Sequence, residues 1–306
     1  MDTSPQPRSA SRLAERLRAG AFAITAEITP PLSCNPDDVT DKALPLRGLV
    51  DAVNVTDGAG ARAHMSATAA AFFLMQSGIE PILQFTCRDR NRLALQSGLL
   101  GAAAVGIRNV LLLGGDDPSA GDQPETKAVF DLDSRRLIET ARIMRDSRAL
   151  PNGRAIAGAP QFFIGAADLP VDPPPDWRPD ALKAKIAAGA EFVQTQFCMD
   201  LEIVRRYVGR LRDHGITDQV AILIGVSPLR SGRSARWMRH HLFGTIIADA
   251  IVKRMDEAAD PSAEGRRICV ELLQGLKDIP GVAGAHIMAP GNDAAVPDVI
   301  AAFRKK

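Results

Sequence analysis

One carboxylate inside the first apolar segment of the chain is the residue best suited to acid–base chemistry. Glu27 lies between Ala26 and Ile28, and because side chains alternate along a strand it faces away from both apolar neighbours. If this strand belongs to a parallel barrel, Glu27 points into the mouth, where partial removal from water suits an acid to donate a proton. On an exposed strand it would be an ordinary solvated side chain.

A second group of candidates follows the apolar segment 107–113. Two glycines allow the backbone to approach a ligand closely, and two carboxylates come next, before a proline that ends strand pairing. Because α/β folds bind ligands at the carboxyl ends of strands, this turn predicts a binding site. A strand-to-loop turn with a solvated Asp pair is the alternative. The residues are Gly114, Gly115, Asp116, Asp117 and Pro118.

Two polar residues lie in or after later strand-like segments. Gln196 follows Thr195 at the predicted end of the sixth strand. Its amide offers a donor and an acceptor together, which matches the edge of a heterocycle; a loop-capping amide is the alternative. His286 falls inside the predicted eighth strand, where a core role and a site role are equally consistent with the sequence.

The basic run at Arg88, Arg90 and Arg92 is the sharpest cluster of positive charge in the sequence. Arginine side chains bind phosphate and carboxylate groups in a bidentate manner, so the run predicts a clamp for such a group. Charge pairing with Asp89 at the start of a helix is the alternative, and the sequence does not choose between them.

Alternating strands and helices would bring these residues together. Eight apolar strand-like segments recur, each followed by sequence of helical length, and this pattern predicts a parallel sheet with right-handed crossovers. Eight such units predict closure into a single-domain (β/α)8 TIM barrel over 21–306, after an N-terminal leader and first helix over 1–20. The strands are predicted at 22–28, 52–56, 82–86, 109–113, 161–164, 192–195, 220–224 and 282–287.

An open doubly wound sheet is the alternative architecture. It would carry a phosphate-binding GxGxxG motif after its first strand, and that motif is missing here. Two long helices are predicted at 37–49 and 233–256, the second with a break near Gly244.

The composition excludes several classes of protein. The net charge of +1 gives no global field for nucleic acid or membrane, and an aromatic content of 5% argues against a base-stacking surface. The four cysteines are far apart and no metal-ligand spacing occurs, which predicts a cytoplasmic protein with reduced thiols and no metal site. No apolar run approaches the length of a membrane span. An apolar helical face would support a homo-oligomer.

Several motifs, in order along the chain, resemble the methylenetetrahydrofolate reductase family. Together they extend over about 22–300, and that many ordered matches make the resemblance specific. They are AEITPP at 26–31, NVTD at 54–57, QFTCRDRNR at 84–92, LGGDDP at 113–118, VFDLD at 129–133, FFIGAA at 162–167, AGAEFVQTQ at 188–196 and GAHIM at 284–288.

This resemblance implies a (β/α)8 barrel that interconverts 5,10-methylenetetrahydrofolate and 5-methyltetrahydrofolate with NAD(P)H and usually a flavin. Carried over by motif, Glu27 would protonate the folate ring nitrogen and open the five-membered ring. Asp116 would lie near the flavin and the pterin, tune hydride transfer and steady the iminium cation. Gln196 would hydrogen-bond the pterin, and Thr56 and His286 are further predicted substrate contacts.

FAD is the cofactor that the resemblance predicts, with FMN or no flavin as alternatives. The chain departs from many relatives at four positions: Gln84 replaces His, Gly114 replaces Arg, Asp168 replaces Asn, and Ala184 replaces a basic residue. Several of these positions bind the flavin in relatives. The predicted cofactor-binding residues are Thr56, Gln84, Thr86, Gly114, Gly115, Asp116 and Lys185.

Three functional hypotheses follow from the resemblance. In the first, NAD(P)H reduces a bound flavin and is then replaced by the folate. In the second, hydride passes directly from NAD(P)H to the folate in a ternary complex, which the missing flavin anchors favour. In the third, the chain is a non-catalytic barrel subunit of a methyl-transfer complex, against which the retained Glu27, Asp116 and Gln196 argue. The direction, methyl supply for methionine or oxidation of methyltetrahydrofolate, stays open.

Overall fold

Parallel strands alternate with helices in the computed structural model, which describes residues 11–305. The strands are β1 (Ala23–Ile28), β2 (Ala52–Val55), β3 (Pro81–Thr86), β4 (Asn109–Leu113), β5 (Phe163–Asp168), β6 (Phe192–Met199), β7 (Ala221–Val226), β8 (Ile246–Ile247) and β9 (Val282–Ile287). Each of β1 to β6 pairs with the next strand, and β9 closes the ring by pairing with β7 and β1. This closed ring of eight strands confirms the predicted (β/α)8 barrel.

Helices surround the barrel and connect its strands. They are α1 (Arg12–Arg18), α2 (Asp37–Ala43), α3 (Ala67–Gln76), α4 (Arg92–Ala104), α5 (Ser134–Asp146), α6 (Asp180–Ala188), α7 (Leu201–Asp213), α8 (Gly232–His241), α9 (Asp249–Glu257), α10 (Pro261–Lys277) and α11 (Val296–Arg304). Short 3-10 turns occupy Leu44–Leu46, Ala59–Ala61, Pro118–Ala120 and Asp293–Ala295. Within 11–305, none of these helices combines the length and apolar character that crossing a bilayer requires.

Two strands, β5 and β6, differ most in extent from the prediction. β5 starts two residues later than 161 and continues to Asp168, because its last residues pair with Gln194 and Thr195 of β6. β6 runs four residues past the predicted end at 195, because the short β8 outside the ring pairs with Cys198 and Met199. These partners are distant in sequence, so local patterning does not reveal them.

Two predicted helices also differ. The helix predicted at 37–49 ends at Ala43 and continues as the 3-10 turn that contains Pro45, which has no backbone N–H to donate to the preceding turn. The helix predicted at 233–256 is two helices, α8 and α9, with β8 between them. Gly244, at φ +75°, marks the predicted break.

The interior of the barrel has two layers of different chemistry. The lower layer, toward the amino ends of the strands, is apolar, and the rings of Phe163 and Phe192 stack in it with centroids 4.9 Å apart. The layer above it consists of four buried polar side chains, from β1, β2, β6 and β9. They are Thr25, Asn54, Gln194 and His286.

Helix α1 covers the amino-terminal end of the barrel. Leu13 and Ala14 pack fully buried against the apolar layer. The Glu80 carboxylate, just before β3, accepts hydrogen bonds from the backbone N–H groups of Arg12 (2.9 Å) and Leu13 (3.0 Å). Two ion pairs fasten the helix further: Arg16 with Asp51 and Arg18 with Glu191. The rest of the predicted leader, residues 1–10, lies outside the described residues.

Candidate functional site

A cavity of about 530 Å³ opens at the carboxyl ends of the strands. Its lining includes five of the predicted site residues, from four strands and one helix. They are Glu27, Gln84, Lys185, Gln196 and His286. Residues far apart in the sequence therefore meet at the end of the barrel where (β/α)8 proteins bind their ligands.

Glu27 lies on the wall of this cavity and is held by neighbouring strands. The Gln84 amide Nε2 donates to Glu27 Oε2 at 2.7 Å, and His286 Nε2 lies 3.6 Å from the same oxygen. The Glu27 side chain remains 21% exposed, so the carboxylate is positioned by the protein and open to a ligand. This is an arrangement that a general acid requires.

The polar layer lies directly beneath Glu27. Asn54 Nδ2 donates to Gln194 Oε1 at 2.6 Å, and Gln194 Nε2 donates back to Asn54 Oδ1 at 3.0 Å. Thr25 and Gln194 were not among the predicted site residues. The signal that could have found Thr25 is the two-residue period of a strand, since it precedes Glu27 by two positions and shares its face. The period does not extend from Gln196 back to Gln194, because the register of β6 shifts between Gln194 and Phe197.

Gln196 lies in a β-bulge rather than at the end of its strand. Gln194 of β6 pairs with Leu223, and the next pairing joins Phe197 to Gly225, so two residues of β6 oppose one of β7. Gln196 Oε1 accepts a hydrogen bond from the Phe197 backbone N–H at 3.0 Å. Its amide N–H groups remain available as donors to a ligand in the cavity.

The far end of the cavity lies between β5 and α6. Asp168 accepts a short hydrogen bond from the Tyr207 hydroxyl, and Lys185 Nζ donates to the Ala167 carbonyl at 2.6 Å. Burial raises the pKa of Asp168 above its ordinary value, although the Tyr207 hydroxyl and the charge of Lys185 act in the opposite direction. Trp177 lines this end as well.

The raised pKa of Asp168 makes the stability of the fold depend on pH. A carboxyl group whose pKa is higher in the folded chain than in the unfolded chain destabilises the fold as the pH rises from the unfolded-state pKa to the folded-state pKa. Asp168→Asn removes this titration and keeps an oxygen that accepts from Tyr207. We expect the Tm of the variant, relative to the original protein, to increase between about pH 4 and about pH 7. Thermal unfolding of both proteins at the two pH values measures this Tm difference. A Tm difference that does not change with pH would contradict the raised pKa of Asp168.

The other predicted cofactor and site residues lie outside the cavity lining, at the ends of β2, β3 and β4. Thr86 donates through its backbone N–H and its hydroxyl to the Asp57 carboxylate, both at 2.9 Å. A Cβ atom on Gly115 would lie 2.9 Å from Arg88 Cβ, so another side chain already fills that approach. Asp116 is exposed and accepts a hydrogen bond from the Gly60 backbone N–H at 2.9 Å.

The remaining two of these residues are Thr56 and Gly114, and neither makes a hydrogen bond to a neighbouring side chain. The hydroxyl of Thr56 is buried without a hydrogen-bond partner. Gly114 has open space where a Cβ would project, with no atom within 4 Å. A ligand therefore reaches Gly114 without rearrangement, whereas contact with Thr56 needs a shift of the surrounding loops.

All three arginines of the basic run are ion-paired. Arg88 binds the Asp89 carboxylate through two nitrogens at 2.7 and 2.8 Å. The other two pairs are Arg90 with Asp57 and Arg92 with Asp131. The predicted alternative of charge pairing with Asp89 is found for Arg88, whereas Arg90 and Arg92 pair with other carboxylates. A phosphate clamp would require these pairs to open.

The cavity lining has features of a site for the flavin that the family resemblance implies. Leu111, Leu113, Ala167 and Trp177 give it apolar walls that suit a flat ring system, and Lys185 supplies a cation at its edge. These residues fit an isoalloxazine or a pterin ring. Among residues 11–305, no group of three His, Cys, Asp or Glu side chains is arranged to hold a metal ion.

Eight parallel strands with an acid, two amides and a histidine around a cavity at their carboxyl ends define a (β/α)8-barrel protein with a candidate small-molecule site at its mouth. The family model for methylenetetrahydrofolate reductase matches residues 12–303. The chain therefore belongs to the methylenetetrahydrofolate reductase family.

Curated relatives carry the same family name at modest identity. A probable methylenetetrahydrofolate reductase (NADPH) of Caenorhabditis elegans is 27% identical over 244 residues, which cover 77% of this chain and 34% of that protein. Methylenetetrahydrofolate reductase 2 of Schizosaccharomyces pombe is 25% identical over 217 residues, covering 70% and 33%. The chain thus spans about a third of the length of these relatives.

Among solved structures, the chain resembles an uncharacterized protein from Clostridium thermocellum. That protein is described as binding two copies of 5-methyl-5,6,7,8-tetrahydrofolic acid. The TM-score is 0.61 at 13% identity, over 96% of this chain and 98% of that one. At this identity the likeness shows the barrel fold.

Proposed function

We propose that this chain interconverts 5,10-methylenetetrahydrofolate and 5-methyltetrahydrofolate, with NAD(P)H as the source of hydride. The observation that carries the proposal is Glu27, a largely buried but accessible acid held by Gln84 and His286 at the mouth of the barrel. Membership of the methylenetetrahydrofolate reductase family and the methyltetrahydrofolate bound by the Clostridium thermocellum protein support the same substrate class.

The proposed reaction needs one proton and one hydride. Protonation of a ring nitrogen of methylenetetrahydrofolate breaks its bond to the bridging carbon and leaves an iminium cation on the other nitrogen. Hydride addition to that carbon then gives the methyl group. Glu27 donates the proton from its cavity-facing carboxyl group, a role that suits an acid within reach of the substrate and shielded from bulk water.

Gln196 and Asp116 complete the proposed contacts with the pterin. The free amide N–H groups of Gln196 donate to acceptors on the pterin edge. Asp116 offers a negative charge to the iminium cation, and it reaches the ligand when its hydrogen bond to Gly60 opens. His286 contributes from beneath the ligand through Glu27, and Thr56 contacts the ligand after a shift of the surrounding loops.

A flavin is the proposed hydride carrier, with FAD as the form that the family resemblance implies. Gln84, Gly114 and Lys185 are the residues that would hold it, and the apolar walls of the cavity would face its ring. When bound, a flavin accepts hydride from NAD(P)H and passes it to the folate, so that the two substrates need not be bound together.

Direct transfer from NAD(P)H to the folate is the second candidate. The ion pairs of Arg88 and Arg90 favour it, because both cations, which follow β3, are already bound to carboxylates and not free for flavin phosphates. Glu27 has the same task in this mechanism.

Self-association and a cytoplasmic location stay predictions.

The visible absorption spectrum of the purified protein, read together with turnover, tests the proposal. We expect the protein to oxidise NAD(P)H in the presence of methylenetetrahydrofolate and to release a yellow chromophore, near one per chain, on denaturation. Chromatography of that chromophore distinguishes FAD from FMN. A colourless protein that still turns over would establish direct transfer. No turnover by the isolated chain, with or without added flavin, would favour a non-catalytic subunit.

A further inference from the structure

Four polar side chains are buried across the barrel immediately beneath Glu27. Thr25 and Asn54 are 0% exposed, and Gln194 and His286 are each 2% exposed. Barrel interiors are usually filled by branched apolar side chains, and a buried polar group is costly unless it is fully hydrogen-bonded. Each of these groups therefore needs a hydrogen-bond partner, and the direction of each bond shows which atom donates and which accepts.

The amide groups define where the hydrogens of the layer point. Asn54 and Gln194 exchange two hydrogen bonds, which uses Gln194 Oε1 as an acceptor and one of its Nε2 hydrogens as a donor. The second Nε2 hydrogen points to Thr25 Oγ1 at 2.9 Å. Thr25 Oγ1 is therefore an acceptor toward Gln194, and its own hydrogen is directed elsewhere.

That hydrogen has His286 as its closest acceptor. Thr25 Oγ1 lies 3.0 Å from His286 Nδ1, whereas the Ala285 carbonyl lies 3.5 Å away. Nδ1 is then an acceptor, and a neutral imidazole with an acceptor at Nδ1 carries its hydrogen on Nε2. Nε2 is the atom that faces Glu27 Oε2 at 3.6 Å.

We propose that the polar layer fixes His286 as the Nε2–H tautomer and so positions Glu27 for proton transfer. His286 and Gln84 both approach Oε2, which leaves Oε1 as the oxygen that gives its proton to the folate ring nitrogen. The gap of 3.6 Å closes to a hydrogen bond when the ligand tightens the site, as catalytic contacts commonly do. The proposal rests on the function proposed above, and Thr25 and His286 act in it as positioning residues.

The tautomer itself is measured by NMR on the full chain labelled with ¹⁵N-histidine. The chain has five histidines, and loss of one signal set in His286→Gln assigns His286. We expect the wild-type His286 spectrum to show a neutral ring with the hydrogen on Nε2. A ring protonated on Nδ1, in either the neutral or the charged form, would overturn the proposal.

Substitutions at Thr25 test whether the layer sets the tautomer. Thr25→Val removes the closest donor to Nδ1 and leaves only the longer contact from the Gln194 amide, at 3.4 Å, so we expect the preference for Nε2–H to weaken and a measurable fraction of the Nδ1–H form to appear. Thr25→Ser keeps the hydroxyl and is expected to keep the wild-type spectrum. A wild-type spectrum in Thr25→Val would overturn the role assigned to the Thr25 hydroxyl in setting the tautomer.

Substitutions at His286 test the effect on Glu27. An amide can donate to Glu27 and accept from Thr25, so His286→Gln is expected to retain most of the turnover. His286→Leu is expected to lower kcat about 10- to 100-fold, part of what a general acid contributes, with little change in KM. Thr140→Val is the matched control for Thr25→Val, since it removes a buried hydroxyl of α5 that is bonded to the Arg136 carbonyl and does not line the cavity.

The outcomes separate this inference from the proposed function. Equal kcat values in His286→Gln and His286→Leu, with both proteins folded by their Tm, would overturn the positioning role and leave the proposed function intact. A wild-type protein that does not interconvert the folates would overturn the proposed function, while the NMR result would still report on the tautomer.

Discussion

Glu27→Gln is expected to lower the conversion of methylenetetrahydrofolate by about 10²- to 10⁴-fold, the contribution of a general acid. The amide has nearly the same shape as the carboxyl group and can still accept a hydrogen bond from Gln84, so the cavity keeps its geometry. It has no proton of suitable acidity to give to the ring nitrogen. Steady-state oxidation of NAD(P)H with the folate as acceptor measures the loss.

Two readouts distinguish this chemical role from damage to the site. Binding of 5-methyltetrahydrofolate, followed by the fluorescence of Trp177 in the cavity wall, should change little in Glu27→Gln. Where the protein carries a flavin, its reduction by NAD(P)H should also be preserved, because that step needs no proton from Glu27. Simultaneous loss of flavin reduction and folate turnover would contradict the assigned role.

Gly225→Ala is expected to destabilise the fold and to impair folate binding. A Cβ atom at this position would lie 2.5 Å from the Thr195 carbonyl oxygen and 2.7 Å from that of Gln196. Both are backbone atoms of the bulge in β6, so neither can turn away as a flexible side chain can. Overpacking of this kind costs about 1–3 kcal/mol or more, and moving the bulge displaces the Gln196 amide. Denaturant unfolding measures the first effect, and the affinity for 5-methyltetrahydrofolate the second.

Gly101→Ala provides a matched control for the added methyl group. Gly101 lies inside α4, is exposed, and would place its Cβ with no atom within 4 Å. Alanine there should stabilise the protein by about 0.5–1 kcal/mol, because glycine loses more conformational freedom in a helix. If Gly225→Ala unfolded at the same denaturant concentration as Gly101→Ala, the bulge would be more adaptable than its contacts indicate.

The order of strands and the position of Glu27 could be predicted from the sequence because both depend on local patterns. Apolar runs separated by helical sequence define the barrel, and Glu27 interrupts one run at the strand end where chemistry is found. The extra length of β6 could not be predicted, since its partner β8 is about fifty residues away. The break of the helix predicted at 233–256 could be predicted from Gly244, whereas the short strand β8 that follows this glycine could not.

The contacts around the predicted site residues could not be predicted without knowing the register of the strands. Gln84 was predicted from its place in a motif, but its bond to Glu27 depends on how β3 and β1 align around the ring. The placement of Asp116 depends on the turn at Gly115, with φ +98°, and on the backbone N–H of Gly60. A local sequence pattern does not contain information on such long-range contacts. It therefore predicts the strand end at which Gln84 or Asp116 lies but not the residues that each one contacts.

The helix that covers the amino-terminal end of the barrel has a consequence for the movement of protons. Leu13 and Ala14, together with the apolar layer above them, offer no polar groups along which a proton could pass from that side to the polar layer. In the proposed reaction each turnover consumes one proton from Glu27. The proton that replaces it then enters by the same opening as the folate. Reprotonation of Glu27 and release of the product therefore use one path and occur one after the other.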